Sequence, residues 1–262
     1  MKAIITGASG TVGRALRQEI EAQGGTAIPW QRDQTPIDDY AAMEAFVRQH
    51  QPDALFHLAV PSQSTGRADE GRLVNIHWTG ELAWICRQLG IRFVFISTVM
   101  VYTDDAVGPF TPDTPPDAAE GYGYEKRQAE DRAFYQNPET VVARLGWQIG
   151  EGAGSNNMID FFERQMQENG QITASRRWYP ACSFVVDTAS ALIQLAAMPA
   201  GLYLVNSNTR WTFDEIAVAL NEHHGDRWRI VPNDDFVYDQ RMIDPRVPIA
   251  PLNERLPNLP RK

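Results

Sequence analysis

Short apolar, often β-branched runs alternate with amphipathic stretches along the first 145 residues. The runs at 3–6, 26–30, 54–58, 93–97 and 141–145 have the length and composition of strands, whereas 11–23, 39–50, 71–89 and 122–135 repeat apolar positions at helical spacing. Such alternation predicts a parallel sheet covered on both faces, because each crossover helix lays its apolar stripe on the sheet. Beyond Leu145 the pattern loosens, with helices expected over 156–167, 187–197 and 212–223. Prolines crowd 245–260, which predicts a tail that runs extended over the surface without a helix.

The link between the first strand and the first helix narrows this picture to a doubly wound, Rossmann-like α/β fold. It reads Thr6-Gly7-Ala8-Ser9-Gly10-Thr11-Val12-Gly13, with glycines spaced three and three. Glycines there permit a tight turn and remove the Cβ atoms that would bar a pyrophosphate, and the helix N-terminus beginning at Thr11 offers free N–H groups. Residues 1–145 are expected to form the dinucleotide-binding domain, its sheet completed by later strands. Residues 146–262 are expected to form a smaller α/β substrate-binding region interleaved with it. In such sheets ligands sit beyond the carboxyl ends of the strands. Gly7, His57, Leu58, Ala59, Val60, Thr98 and Gly146 all follow strand ends and so converge on one crevice.

A second constellation lies about 110 residues downstream of the glycine turn: Thr98, then Tyr122-Gly123-Tyr124-Glu125-Lys126. Hydride transfer at a carbinol carbon needs a proton moved at the attached oxygen, and a phenol, ordinarily titrating near 10, serves if a cation holds it lower. Tyr122 and Lys126 stand at i and i+4 of one helix face, so the ammonium is expected to favour phenolate and to reach the nicotinamide ribose. Thr98 would hydrogen-bond the same substrate oxygen. Tyr124 points to another face, with Gln128 rather than lysine at i+4, and is expected to be packing.

Composition excludes several classes. A net charge of −9 and a single short basic cluster, Arg176-Arg177, oppose nucleic-acid binding. No apolar run approaches the roughly 20 residues that span a bilayer, and the chain enters its first strand at Lys2 without room for a signal peptide, so a cytoplasmic protein is expected. Cys86 and Cys182 lack metal-ligand spacing and read as buried thiols. His77, His223 and His224 have no ligand partners, and no metal is expected. His57 reads as packing beside the cofactor. The second strand ends Trp30-Gln31-Arg32-Asp33. It lacks an acid at the usual place for a ribose diol, so Arg32 favours NADP over NAD through a 2′-phosphate, with Asp33 keeping NAD open. Arg176 and Arg177 would serve either as a diphosphate clamp or as surface charge. Trp178 and Tyr179 would stack on a nucleotide base or pack as an aromatic pair.

Taken together, Thr6-Gly7 to Gly13, Pro52-Asp53 to Leu58-Ala59, Asn75, Phe95-Ile96-Ser97-Thr98, Val101-Tyr102 and Tyr122-Gly123 to Lys126 resemble the extended short-chain dehydrogenase/reductase superfamily. Arg144-Leu145-Gly146-Trp147, the loop from Gly152 to Asn157, and Pro180 make the chain most similar to its dTDP-4-dehydrorhamnose reductase group. The resemblance implies Tyr122 as general acid, Lys126 as its partner and Thr98 as third catalytic member. It makes Leu58-Ala59 with Gly7, Gly10 and Gly13 the cofactor floor, and places Met100, Trp147 and Asn157 on the substrate side. The implied reaction is reduction of a keto group on a nucleotide-linked sugar, with homodimerisation through helices 71–89 and 122–135. Val99-Met100 stands where related dehydratases carry an acid pair, which argues against dehydration. Ser175 to Ala181 replaces a Gly by Trp178 and a Thr by Ala181, which separates the sugar from dTDP-rhamnose. A sugar-nucleotide epimerase and a non-catalytic NADP-binding regulatory subunit are the alternatives.

Overall fold

The computed structural model describes residues 1–61, 69–150 and 156–261. Its strands in chain order are β1 Lys2–Thr6, β2 Thr26–Pro29, β3 Ala54–His57, β4 Arg92–Thr98, β5 Val141–Leu145 and β6 Trp147–Ile149. They continue with β7 Ile172–Ser175, β8 Trp178–Tyr179, β9 Cys182–Phe184, β10 Gly201–Val205, β11 Ile230–Asn233 and β12 Tyr238–Asp239. The helices are α1 Thr11–Ala22, α2 Tyr40–His50, α3 Glu70–Arg72, α4 Trp78–Leu89, α5 Gly121–Gln136, α6 Met158–Asn169, α7 Val185–Leu195, α8 Phe213–His223 and α9 Leu252–Arg255.

Six strands form one parallel sheet in the order β10-β5-β4-β3-β1-β2. Side-chain alternation builds a layer on each face. Ala3 and Ile5 of β1, Val94 of β4, and Val141 and Ala143 of β5 pack with Leu16, Ile20, Leu192 and Leu195 of α1 and α7. Ile4, Phe93, Phe95 and Val142 point the other way, against Met43, Val47, Leu82, Ala129 and Ala133 of α2, α4 and α5. The chain order reverses between β1 and β3, so the crevice expected at a switch point opens beyond Thr6 and His57.

A second core joins α6, α8 and three short parallel strand pairs, β6–β9, β7–β11 and β8–β12, around Phe162, Trp211, Phe213 and Trp228. Thr212 and Glu215 cap the start of α8 reciprocally, with Thr212 N donating to Glu215 Oε2 at 2.9 Å. No described helix is long and apolar enough to cross a membrane.

Two expectations are corrected. The tail stays mostly exposed but is anchored and not helix-free: Leu252, Leu256 and Leu259 are buried in the second core, and Leu252 opens the one-turn helix α9. Their spacing of four and three is helical, and each buried leucine contributes roughly 1.5–3 kcal/mol, which outweighs the breaking effect of the flanking prolines. The stretch expected as one helix over 71–89 is divided, because Leu73–His77 winds as a π turn between α3 and α4. The wider winding takes one more residue per turn and re-aims Asn75.

Candidate active site

The glycine turn has the shape of an anion cradle. Gly7 sits at φ +65°, and a Cβ there would lie 2.9 Å from Ala59 N; one on Gly13 would lie 2.2 Å from Gly7 O. Gly10 occupies the N-cap of α1, and among the described residues no side chain caps the N–H groups of its first turn. Thr11 Oγ1 is buried and lacks a hydrogen-bond partner among the described residues. Orphaned donors at a helix start and backbone spacing that only glycine permits both fit a dinucleotide pyrophosphate. Ser9 lies in this turn and accepts from Arg14 Nη1 through its carbonyl at 2.8 Å, while Val12 packs on the first core.

Thr6 ties this turn to β3. Its Oγ1 accepts from Leu58 N and Ala59 N at 3.1 Å each, so its own hydrogen is donated to His57 Nδ1 at 2.8 Å. The proton of His57 therefore sits on Nε2, which donates to Thr79 Oγ1 at 3.0 Å, and Thr79 donates on to the Asn75 carbonyl at 2.7 Å. Burial, reinforced by the Lys126 and Arg32 charges, holds this imidazole well below its ordinary range. His57 is thus a neutral packing and wiring residue that fixes Leu58, Ala59 and the partly buried Val60.

The residues expected to be catalytic lie where α5 meets the end of β4. A Cβ on Gly123 would stand 1.9 Å from Met100 O, so only glycine lets the first turn of α5 rest on the 3-10 turn Val99–Val101. This contact seats the first turn of α5, which carries Tyr122, on the turn that follows Thr98, whose Oγ1 accepts from Met100 N at 3.2 Å. Tyr122 is 38 % exposed, and burial of its phenol together with the Glu125 carboxylate pushes it up to about 12. Lys126 is 1 % exposed and turns inward, its Nζ 4.1 Å from the Phe95 ring centroid. Burial pushes it down to about 7 against the pull of Glu130. The expected lowering of the phenol by an adjacent ammonium is therefore corrected. The two residues share a helix face, but Lys126 is desolvated over an aromatic ring and loses charge, while an acid one turn on raises Tyr122.

Beneath Lys126 lies a buried polar network that motif reading did not single out. Glu130 accepts from Ser97 Oγ and bidentately from Arg144, Nε to Oε1 at 2.9 Å and Nη2 to Oε2 at 2.6 Å. Arg144 Nη1 also donates to Tyr102 OH at 2.6 Å. The only signal in the chain was the acid at i+4 from Lys126.

The remaining expected residues divide. Arg32 stays near the crevice, its Nη1 3.5 Å from Glu70 Oε1 and its guanidinium 5.8 Å from the Trp78 ring. Met100 is exposed beside Thr98. Asn157 is buried and caps α6, its Oδ1 accepting from Asp160 N at 2.9 Å; residues 152–155 of the expected substrate loop lie outside the described residues. Arg176 is not held as a diphosphate clamp but pairs bidentately with Asp234 at 3.1 and 2.7 Å, and Arg177 is exposed on the same turn. Trp178 packs 4.8 Å from Phe213 and 6.0 Å from Trp147, so both indoles belong to an aromatic cluster at the edge of the second core. Tyr179 lies under the Arg241 guanidinium at 4.8 Å. A cavity of about 360 Å³ adjoins Thr11, Arg14, Gly150, Val185 and His223, on the flank of α1 away from Tyr122. Among the described residues no cluster of three or more metal-ligating side chains occurs.

Comparison with known proteins agrees with this geometry. Residues 1–242 match the family described as RmlD substrate binding domain. The spore coat polysaccharide biosynthesis protein SpsK of Bacillus subtilis is 24% identical over 227 residues, covering 86% of this chain and 80% of that protein. A dTDP-4-dehydrorhamnose reductase of Mycolicibacterium smegmatis is 26% identical over 236 residues, covering 87% and 71%. The crystal structure of dTDP-4-dehydrorhamnose reductase from Bacillus anthracis in complex with NADP superposes with a TM-score of 0.83 at 18% identity, covering 98% of this chain and 96% of that one. The chain belongs to the RmlD substrate binding domain family.

Proposed function

We propose that the protein is an NAD(P)-dependent reductase, favouring NADP, that reduces the keto group of a nucleotide-linked sugar of the 4-keto-6-deoxy type. The observation that carries this reading is the seating of α5 on the 99–101 turn, which supports a shared site for Tyr122, in the first turn of α5, and Thr98, at the carboxyl end of β4. Relatives named dTDP-4-dehydrorhamnose reductase support the same substrate class. Gly7, Ser9, Gly10, Thr11, Val12 and Gly13 would hold the pyrophosphate, Leu58, Ala59 and Val60 would floor the dinucleotide, and Lys126 and Arg32 would meet the ribose and the 2′-phosphate. A bound reduced nicotinamide supplies the hydride. Thr98 orients the substrate oxygen, and Tyr122 gives that oxygen its hydroxyl proton as negative charge develops there. A phenol pushed up to about 12 is protonated throughout the neutral range, which suits an acid and disfavours the tyrosinate base that an epimerase needs for its oxidative half-reaction. Residues 146–261, with Met100, Trp147 and Asn157 nearest the crevice, would form most of the sugar-nucleotide side.

Mixing the protein with NADPH or NADH and a panel of nucleotide-linked 4-keto-6-deoxy sugars tests the reading through reduced-nicotinamide absorbance. Sugar-dependent consumption, faster with NADPH, is expected; NADPH binding without consumption across the panel would favour a regulatory subunit instead. The cradle has its own test in Gly13→Ala, which forces a methyl onto the Gly7 carbonyl. Backbone against backbone yields little, so a loss of roughly 1–3 kcal/mol of binding, about tenfold or more in Kd for NADPH, is expected by fluorescence titration. Wild-type affinity in that variant would place the dinucleotide elsewhere.

A further inference from the structure

Between α5 and the π turn lies a contact that the reaction above leaves unused. Glu125 stands one turn after Tyr122, and its Oε2 accepts from Asn75 Nδ2 at 2.7 Å. Its Oε1 lies 3.0 Å from where a Cβ on Gly71 would sit, so the carboxylate occupies the narrow space between the two elements. Asn75 is 1 % exposed and its Oδ1 has no hydrogen-bond partner among the described residues, so its side chain is committed to the carboxylate alone. The Asn75 carbonyl meanwhile accepts from Thr79, at the end of the chain that runs through His57 and Thr6 to the amides of Leu58 and Ala59. One residue of the π turn therefore grips both the dinucleotide floor and the acid beside the proton donor. π turns of this kind recur at functional sites because they re-aim one side chain without ending the helix.

We propose that Glu125, clamped by Asn75, is a positioning residue whose negative charge keeps the Tyr122 hydroxyl in its proton-donating form and so sets the alkaline limit of reduction. The proposal rests on the reductase reading for its kinetic consequence but not for its electrostatic one. Burial and Glu125 are the two causes that raise the Tyr122 phenol. The charged or titratable side chains on the elements packed against α5 are His77 on the π turn, Glu81, Cys86 and Arg87 on α4, and Arg92 on β4, with Glu70 and Arg72 of α3 flanking the Gly71 that abuts Glu125; the 99–101 turn brings none. On α5 itself, Lys126 is turned inward over Phe95 and Glu130 is taken up by Arg144.

Glu125→Gln removes the charge but leaves an amide oxygen to accept from Asn75, so the fold is preserved. The tyrosinate absorbance of the protein without cofactor, with the Tyr122→Phe titration subtracted, isolates the Tyr122 midpoint. In Glu125→Gln that midpoint is expected to fall by roughly 0.5–2 pH units, the range for a unit charge at the spacing of i and i+3 on a helix, about 5–6 Å, in a medium between bulk water and a protein surface. The alkaline limb of kcat/KM for NADPH-dependent reduction should move down by the same amount, and Glu125→Asp should restore both. An unmoved Tyr122 midpoint in Glu125→Gln overturns the proposal, as does a shift that Glu125→Asp fails to reverse. Absence of NADPH consumption in every variant, with the midpoint still shifted, overturns only the reductase reading.

Discussion

Tyr122→Phe is expected to lower kcat for keto-sugar reduction by about a hundredfold to ten-thousandfold, the range for loss of a positioned general acid, while leaving the Kd for NADPH within about twofold. The ring is retained, and a residue already 38 % exposed leaves no cavity when its hydroxyl is removed. No neighbour takes over the donation. Thr98 lacks the acidity, and the Lys126 ammonium is buried over Phe95. Steady-state rates with saturating NADPH, alongside a fluorescence titration of cofactor binding, separate the two effects. Turnover at the wild-type rate would remove Tyr122 from the chemistry and leave the glycine cradle as the only supported function of the crevice.

The second large effect concerns stability rather than turnover. Arg144→Met should cost about 3–5 kcal/mol, because it leaves Glu130 buried with only Ser97 as a donor. Against a total stability of about 5–15 kcal/mol that is a large fraction, and Tm should drop on the order of 10 °C. The double variant Glu130→Met with Arg144→Met removes both charges and should recover most of the loss, since a well-packed apolar pair often matches a buried ion pair. Thermal melts of the two single variants and the double close the cycle. If Arg144→Met melted within a degree or two of the wild type, the pair would have to be solvated rather than buried, contrary to side-chain exposures of 3% and 6%.

Much of this architecture can be read from the order of residues, and the parts that cannot share a physical cause. The first five strands and the helices from α1 to α8 follow from apolar periodicity, with the division of 71–89 as the exception. Periodicity over a long window is blind to the one-residue excess at Leu73–His77, although that excess aims Asn75. The glycine turn and the Tyr122 to Lys126 spacing are local motifs, and the fold places the turn at the end of β1 and the start of α5 on the turn that follows Thr98. Long-range pairings are a different matter. Asn75 meets Glu125 across 50 residues, Arg176 meets Asp234 across 58, and nothing near any of them in the chain announces the partner. Lys126 shows the limit most clearly. Its spacing from Tyr122 was informative, but its charge state depends on Phe95 and on its burial, which only the packed structure reveals.

The threading of the chain through its two cores also bears on how this protein could be recombined with its relatives. After leaving the sheet at Leu145, the backbone lays down β6 to β9, returns to supply α7 and β10 to the first core, and departs again for α8 and the tail. A chimaera that exchanged everything beyond residue 146 would strip α1 of its α7 partner and leave β5 as a raw sheet edge, open to pairing with another chain. Swapping specificity therefore calls for two separate inserts, with the segment from Val185 to Val205 kept from the parent that provides the sheet.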